Sequence, residues 1–76
     1  MEINKQRLLD EALRCLNLAK RFRAEENAVQ FEYFKGNLVG IGKSFFYLGY
    51  PEEGNRCKIQ AQVLGDSDTF KPIGKA

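Results

Sequence analysis

An uninterrupted apolar stripe at helical spacing, in residues 5–23, is the feature that most constrains the fold of this chain. Its apolar residues recur three and four positions apart, and charged residues mostly occupy the positions between them. Such spacing places apolar side chains on one face of an α-helix, and no Gly or Pro interrupts it. The sequence predicts an amphipathic helix here, with Asn4 as its N-cap. The apolar positions are Leu8, Leu9, Ala12, Leu13, Cys15, Leu16, Ala19 and Phe22.

The second segment, residues 25–48, also carries apolar residues three and four positions apart. This period favours a second helix, with Glu25 and Glu26 in its first turn, where negative charge suits the helix dipole. Gly36, Gly40 and Gly42 oppose it, since each costs about 1 kcal/mol relative to Ala in a helix interior. We interpret these glycines as places where another helix approaches closely. The apolar positions are Ala28, Phe31, Phe34, Leu38, Ile41, Phe45 and Leu48.

The third segment, residues 52–64, fits two structures. As a helix after Pro51, it places Glu52 and Glu53 in the first turn. Its apolar face is then Gly54, Cys57, Ala61 and Leu64. As a strand, it alternates polar residues with Cys57, Ile59, Ala61 and Val63.

The whole pattern predicts an all-α fold, with an antiparallel helical hairpin and a shorter third helix across it. The alternative is an α+β fold, in which the N-terminal helix packs on a three-stranded antiparallel meander. A chain of 76 residues forms one domain at most. We assign residues 1–64 to a single helical domain and residues 65–76, broken by Gly and Pro, to a flexible or extended tail.

The composition disfavours catalysis, and we predict neither an enzyme nor any cofactor or metal. The chain has no histidine, which removes the commonest general base and the commonest partner of a nucleophile. Cys15 and Cys57 occupy apolar positions and are expected to be small core residues. The stretch Gly36–Ser44 resembles a phosphate-binding loop, but Asn37 stands where its first glycine is required.

The sequence predicts a cytoplasmic protein without a membrane span. No run of about 18 apolar residues occurs, and the N-terminus lacks the pattern of a signal peptide. Two cysteines without such a signal fit a reducing compartment.

Aromatic residues make up 12% of the chain, which is generous for so small a core. Phe45, Phe46 and Tyr47 are consecutive and point in directions about 100° apart on a helix, so they cannot all face one core. We therefore predict a non-enzymatic protein–protein interaction module, a small regulator or inhibitor, that binds a protein partner or a second copy as a homodimer. The predicted interface consists of Phe31, Phe34, Phe45, Phe46, Tyr47 and Tyr50.

The alternative function is a nucleic-acid-binding regulator. Lys20, Arg21 and Arg23 form the only basic cluster, and a dimer would join two copies of it into a basic stripe. The net charge of +2 is too small to indicate nucleic acid by itself. Favourable interaction with the dipole at a helix C-terminus also explains the cluster.

Residues 41–61 resemble a tetratricopeptide-type helical hairpin. The residues that carry the resemblance are Ile41-Gly42, Phe45, Leu48-Gly49, Pro51-Glu52-Glu53, Gly54 and Ala61. The resemblance implies that small residues let two helices touch while an aromatic side chain wedges between them, and it suggests protein binding by analogy. Gly54 replaces the usual Ala, Lys58 replaces a large apolar residue, and the spacing from Ala12 to Gly54 departs from the family repeat.

Overall fold

The computed structural model describes residues 5–66 and shows three helices joined by two short connections. They are α1 (Lys5–Ala24), α2 (Ala28–Tyr47) and α3 (Pro51–Leu64). The described residues contain no strand, so the all-α prediction is confirmed and the α+β alternative is wrong. The predicted cap Asn4 and residues 67–76 of the predicted tail lie outside the described range.

The third segment is a helix, as its helical spacing indicated. The four residues of its predicted helical face, Gly54, Cys57, Ala61 and Leu64, are all buried. In contrast, Ile59 and Val63, which the strand pattern placed beside Cys57 and Ala61, are 58% and 76% exposed. A strand would have buried alternate residues, whereas this segment buries residues three and four apart.

The helix α2 lies between the other two. It packs extensively against both α1 and α3, whereas α1 and α3 contact each other only sparingly. The predicted hairpin of the first two helices, with a shorter third helix, is therefore confirmed. The core draws on all three helices and consists of Ala12, Cys15, Leu16, Ala19, Phe31, Leu38, Phe45, Cys57, Ala61 and Leu64.

Both connections use the same hydrogen-bonded helix ending, the Schellman motif. After α1, the Glu26 and Asn27 amides donate to the carbonyls of Arg23 and Phe22. After α2, the Gly49 and Tyr50 amides donate to the carbonyls of Phe46 and Phe45.

The residue at the turn of each motif has a positive φ, which is 57° at Glu26 and 86° at Gly49. The prediction that Glu25 and Glu26 lie in the first turn of α2 is therefore wrong. They belong to the connection, and α2 begins after Asn27, whose side chain accepts a hydrogen bond from the Gln30 amide. An N-cap of this kind satisfies a backbone donor that the helix leaves unpaired.

Two polar contacts attach α3 at its ends. Lys5 of α1 forms an ion pair with Glu53 at 2.9 Å, at the start of α3. Lys35 of α2 donates to the Gly65 carbonyl and forms an ion pair with Asp66 at 2.8 Å, just beyond its end. Each contact places a charge where the dipole of α3 favours it, with the acid at the N-terminus and the cation at the C-terminus.

Candidate interaction surface

The predicted aromatic interface is divided between the core and the surface. Phe31 and Phe45 are completely buried, so neither side chain is accessible to a partner in this structure. Together with Leu38 they recur every seven residues and follow the line along which α2 faces its neighbours. Phe46 and Tyr47 are turned away from that line and are 46% and 92% exposed.

The remaining two predicted residues, Phe34 and Tyr50, are partly buried against the core. The Phe34 ring stacks on Phe22 of α1 with ring centroids 5.7 Å apart. The Tyr50 ring meets Phe45 edge to face at 6.3 Å, and the Lys5 ammonium lies 4.8 Å from its centroid. These aromatic and cation–π contacts stabilise the packing of α2 and the position of the α2–α3 turn. Phe34 and Tyr50 thus bury much of their ring surface against residues of the same chain.

A second seam runs along α2 on the side opposite the core. Its members are spaced four and three residues apart, the heptad spacing of a helix that packs against another helix. At about 100° per residue they lie roughly 180° around the helix from Phe31, Leu38 and Phe45. We call this seam the outer face of α2. It consists of Val29, Tyr33, Gly36, Gly40, Lys43 and Tyr47.

The outer face of α2 is strongly exposed. The exposed fractions of Val29, Tyr33 and Tyr47 are 79%, 62% and 92%, and the glycines and Lys43 between them are exposed as well. The only formal charge in the seam is that of Lys43. Val29 and Tyr33 were absent from the predicted interface. Their spacing from Gly36, Gly40 and Tyr47 would have indicated them, because it continues the heptad pattern on the second face.

The glycines of α2 serve two different faces. A Cβ at Gly42 would lie 3.1 Å from the Cys57 Cβ and 3.3 Å from the Gly54 carbonyl oxygen, so α3 approaches closely there. This confirms the predicted close approach for Gly42. Within the described part of the chain, a Cβ at Gly36 or Gly40 would meet nothing within 4 Å. These two glycines therefore leave a smooth surface that no part of residues 5–66 covers.

A shallow groove lies between α2 and α3, beside the close contact of Gly42 with Gly54. Its hollow of about 270 Å³ is lined by Val39, Gly42, Lys43, Phe46, Gly54 and Lys58. Phe46 lines the groove, and its ring lies close to Gly54, where an added Cβ would be 2.7 Å from it. The half-exposed Phe46 is thus partly a packing residue, which leaves Tyr47 as the most exposed of the predicted aromatics.

The two cysteines lie in the core, as predicted. Cys15 and Cys57 are free thiols with exposed fractions of 1% and 3%. Burial raises the pKa of both thiols, which disfavours the thiolate that nucleophilic chemistry requires. Across residues 5–66, no group of three or more His, Cys, Asp and Glu side chains could hold a metal ion.

The basic cluster is divided around α1: Arg23, three residues from Lys20, lies on the same side of the helix as Lys20, whereas Arg21 points away from both. Lys20 lines a small apolar groove of about 140 Å³ between α1 and α3, together with Leu16 and Val63. Arg21 forms an ion pair with Glu25 at 3.2 Å, one turn further along. These two side chains therefore have different surroundings, because consecutive helical positions point about 100° apart.

None of the three described helices combines the length and the apolar character that a bilayer crossing requires. No known protein family, characterised protein or solved structure matches this chain significantly. The tetratricopeptide resemblance therefore stays a prediction. The feature it implies for residues 41–61, two helices in contact through small residues, is present at Gly42 and Gly54.

Proposed function

We propose that this protein is a non-enzymatic protein–protein interaction module, a small regulator or inhibitor, that binds its partner through the outer face of α2. The observation that carries the proposal is the exposure of Val29, Tyr33 and Tyr47 along one heptad seam. Exposed apolar side chains scattered singly need no explanation, whereas aligned ones mark interaction surfaces. Tyrosine is also enriched at protein interfaces, because its ring buries apolar area while its hydroxyl stays hydrogen-bonded.

The outer face of α2 lowers the stability of the isolated chain, and this supports the proposal. Gly36 and Gly40 each destabilise the helix by about 1 kcal/mol relative to Ala, and neither admits a neighbouring helix within the described residues. Burial of one side chain such as Val29 on a partner contributes roughly 1.5–3 kcal/mol. A seam that is costly when exposed and favourable when covered suits a binding surface.

The setting we propose for this activity is the cytoplasm, because both thiols are free and buried. The helical-hairpin resemblance supports protein binding by analogy alone. We do not favour the nucleic-acid-binding function, because Arg21 of the basic cluster forms an ion pair with Glu25.

Partner capture with matched variants tests the proposal. The full chain and a Tyr33→Ser/Tyr47→Ser variant would each be used as bait in cells of the source organism, with quantitative mass spectrometry as the readout. An Ile59→Ser/Val63→Ser variant is the control, because it removes two exposed apolar side chains from α3 instead. We expect the captured proteins, including further copies of the chain, to be lost only with the α2 variant. Equal capture by all three baits would refute the assignment.

A further inference from the structure

We infer that the outer face of α2 binds a second copy of this chain, with the two α2 helices packed antiparallel about a twofold axis level with Leu38. The inference rests on the proposed function, because it names the partner of the same surface. A twofold interface must be self-complementary, since each copy presents the same patch to the other. The outer face of α2 meets this condition in position, size and charge.

The seam is symmetric in position about Leu38. Val29 and Tyr47 each lie nine residues from it, Tyr33 and Lys43 five, and Gly36 and Gly40 two. An antiparallel pair centred there places Val29 opposite Tyr47 of the second copy, and Gly36 opposite Gly40 of the second copy. The smallest residues then meet at the centre, where the two backbones come closest.

Tyr33 in this register lies opposite Lys43 of the second copy. An ammonium over a tyrosine ring is attractive, and the contact gains strength as water is excluded. The one charged residue of the seam therefore meets an aromatic partner at both ends of the interface.

The charges beside the seam match as well. Glu32 and Lys43 are exposed and lie on the same flank of α2, Glu32 six residues before Leu38 and Lys43 five after it. When two α2 helices pack antiparallel about a twofold axis, the same side of each helix meets. Glu32 of each copy therefore approaches Lys43 of the other. A parallel pair brings opposite flanks together and loses both attractions. Charge complementarity thus selects the antiparallel second copy.

Disulfide trapping distinguishes the two orientations. Single-cysteine additions Val29→Cys and Tyr47→Cys would be mixed in equal amounts and oxidised gently, and intact masses would identify each covalent dimer. We expect the mixed dimer to exceed both symmetric dimers by about tenfold, because only the antiparallel register brings these positions together. An Asn55→Cys variant, exposed on α3, is the control that should not cross-link. A preference for symmetric dimers, or no preference, would overturn the inference.

Sedimentation between about 1 µM and about 1 mM measures the association without a cross-link. We expect concentration-dependent dimers that Lys43→Glu weakens about tenfold. Glu32→Lys/Lys43→Glu should restore part of this affinity, because it exchanges the charges of both Glu32–Lys43 pairs while the contact of Tyr33 with the Lys43 ammonium stays lost. Circular dichroism confirms that each variant keeps its helices. A wild-type chain that stays monomeric throughout this range contradicts the inference, as does a double variant as weak as the single one.

The outcomes separate this inference from the proposed function. A monomeric chain whose capture of other proteins is still lost with Tyr33→Ser/Tyr47→Ser refutes the second copy and leaves the interaction module supported. If the Tyr33→Ser/Tyr47→Ser substitutions change neither association nor capture, both fail.

Discussion

At the scale of single residues, the close approach of α2 and α3 depends on two glycines. A Cβ at Gly54 would lie 2.9 Å from the Gly42 carbonyl oxygen and 2.7 Å from the Phe46 ring. The ring can move because Phe46 is half-exposed, but the carbonyl belongs to the backbone of α2. Gly54 therefore sets the distance between α2 and α3, and the Ala that is usual in the resembled hairpin does not fit here.

Gly54→Ala is expected to destabilise the chain by about 1–2 kcal/mol, although Ala favours a helix over Gly by about 1 kcal/mol. The methyl group must push the helices apart, and this loss of packing exceeds the gain in propensity. Urea unfolding at protein concentrations where the chain is monomeric provides the measurement. Gly36→Ala is the control and is expected to stabilise the chain by up to about 1 kcal/mol, since its Cβ meets nothing. A stabilising Gly54→Ala would contradict the close contact.

At the scale of elements, α2 differs from its neighbours because it is apolar on two opposite sides. Phe31, Leu38 and Phe45 face the core, while Val29, Tyr33 and Tyr47 face solvent. The helices α1 and α3 bury one face each against α2 and contact each other little. Among the described residues, the ion pair of Lys5 with Glu53 joins α1 directly to α3.

Glu53→Gln is expected to destabilise the chain at neutral pH, and the difference should vanish in acid. The hydrogen bond from Lys5 lowers the pKa of Glu53 below its ordinary value of 4.5. A lowered carboxyl pKa contributes stability above the unfolded value, and this contribution is lost as the pH falls through the folded value. The same contact raises the pKa of Lys5, so the contribution is also lost in strong base.

Thermal unfolding of both proteins between about pH 3 and pH 8 measures this difference. Glu52→Gln is the control, because Glu52 also lies in the first turn of α3. It should show only the smaller effect of the helix dipole. A constant difference between wild type and Glu53→Gln down to the lowest pH would show that the ion pair contributes nothing.

At the scale of the whole molecule, one small core holds three helices together. A chain of this size buries only about 60% of its unfolded surface, and its stability from that core is a few kcal/mol. The loss of one large core side chain is therefore comparable to the total. Phe31, Phe45 and Leu38 are the largest completely buried side chains, and all three lie on α2.

Phe45→Ala and Phe46→Ala form a matched pair that tests this arrangement. We expect Phe45→Ala to cost about 3–5 kcal/mol and to leave the chain largely unfolded at 25 °C. Phe46→Ala should cost about 1 kcal/mol or less, because its ring is 46% exposed. Far-ultraviolet circular dichroism with thermal melting is the measurement. Similar losses from the two variants would contradict the burial of Phe45 and the exposure of Phe46.

The period of the sequence predicted the first helix and favoured the other two over the strand alternative. Residues 5–23 and the face of Gly54, Cys57, Ala61 and Leu64 were predicted correctly because helical spacing is a local property of the chain. The start of α2 was not predicted correctly. Negative charge suits the N-terminus of a helix whether Glu25 and Glu26 lie just inside the helix or just before it. The Schellman motif, which places Glu26 at a positive φ, decided it.

The candidate surface was less accessible to prediction. Composition correctly indicated more aromatic side chains than one helix face can bury, but it could not say which of them face inward. Phe31 and Tyr33 are similar side chains two residues apart, and one is buried while the other is 62% exposed. Their direction depends on where α1 and α3 lie around α2, and no local rule contains that information.

The sequence by itself thus determined the first helix, favoured the other two and indicated the core positions of the two cysteines, because 3.6-residue periodicity and capping act within a few residues. The tertiary structure alone decided which side of α2 became the interior. It did so because α2 has two heptad seams, and only the one that carries Phe31, Leu38 and Phe45 offers enough apolar volume to pack against both neighbours. The other seam, with its glycines and tyrosines, stays exposed, and it is the surface that we propose for a partner.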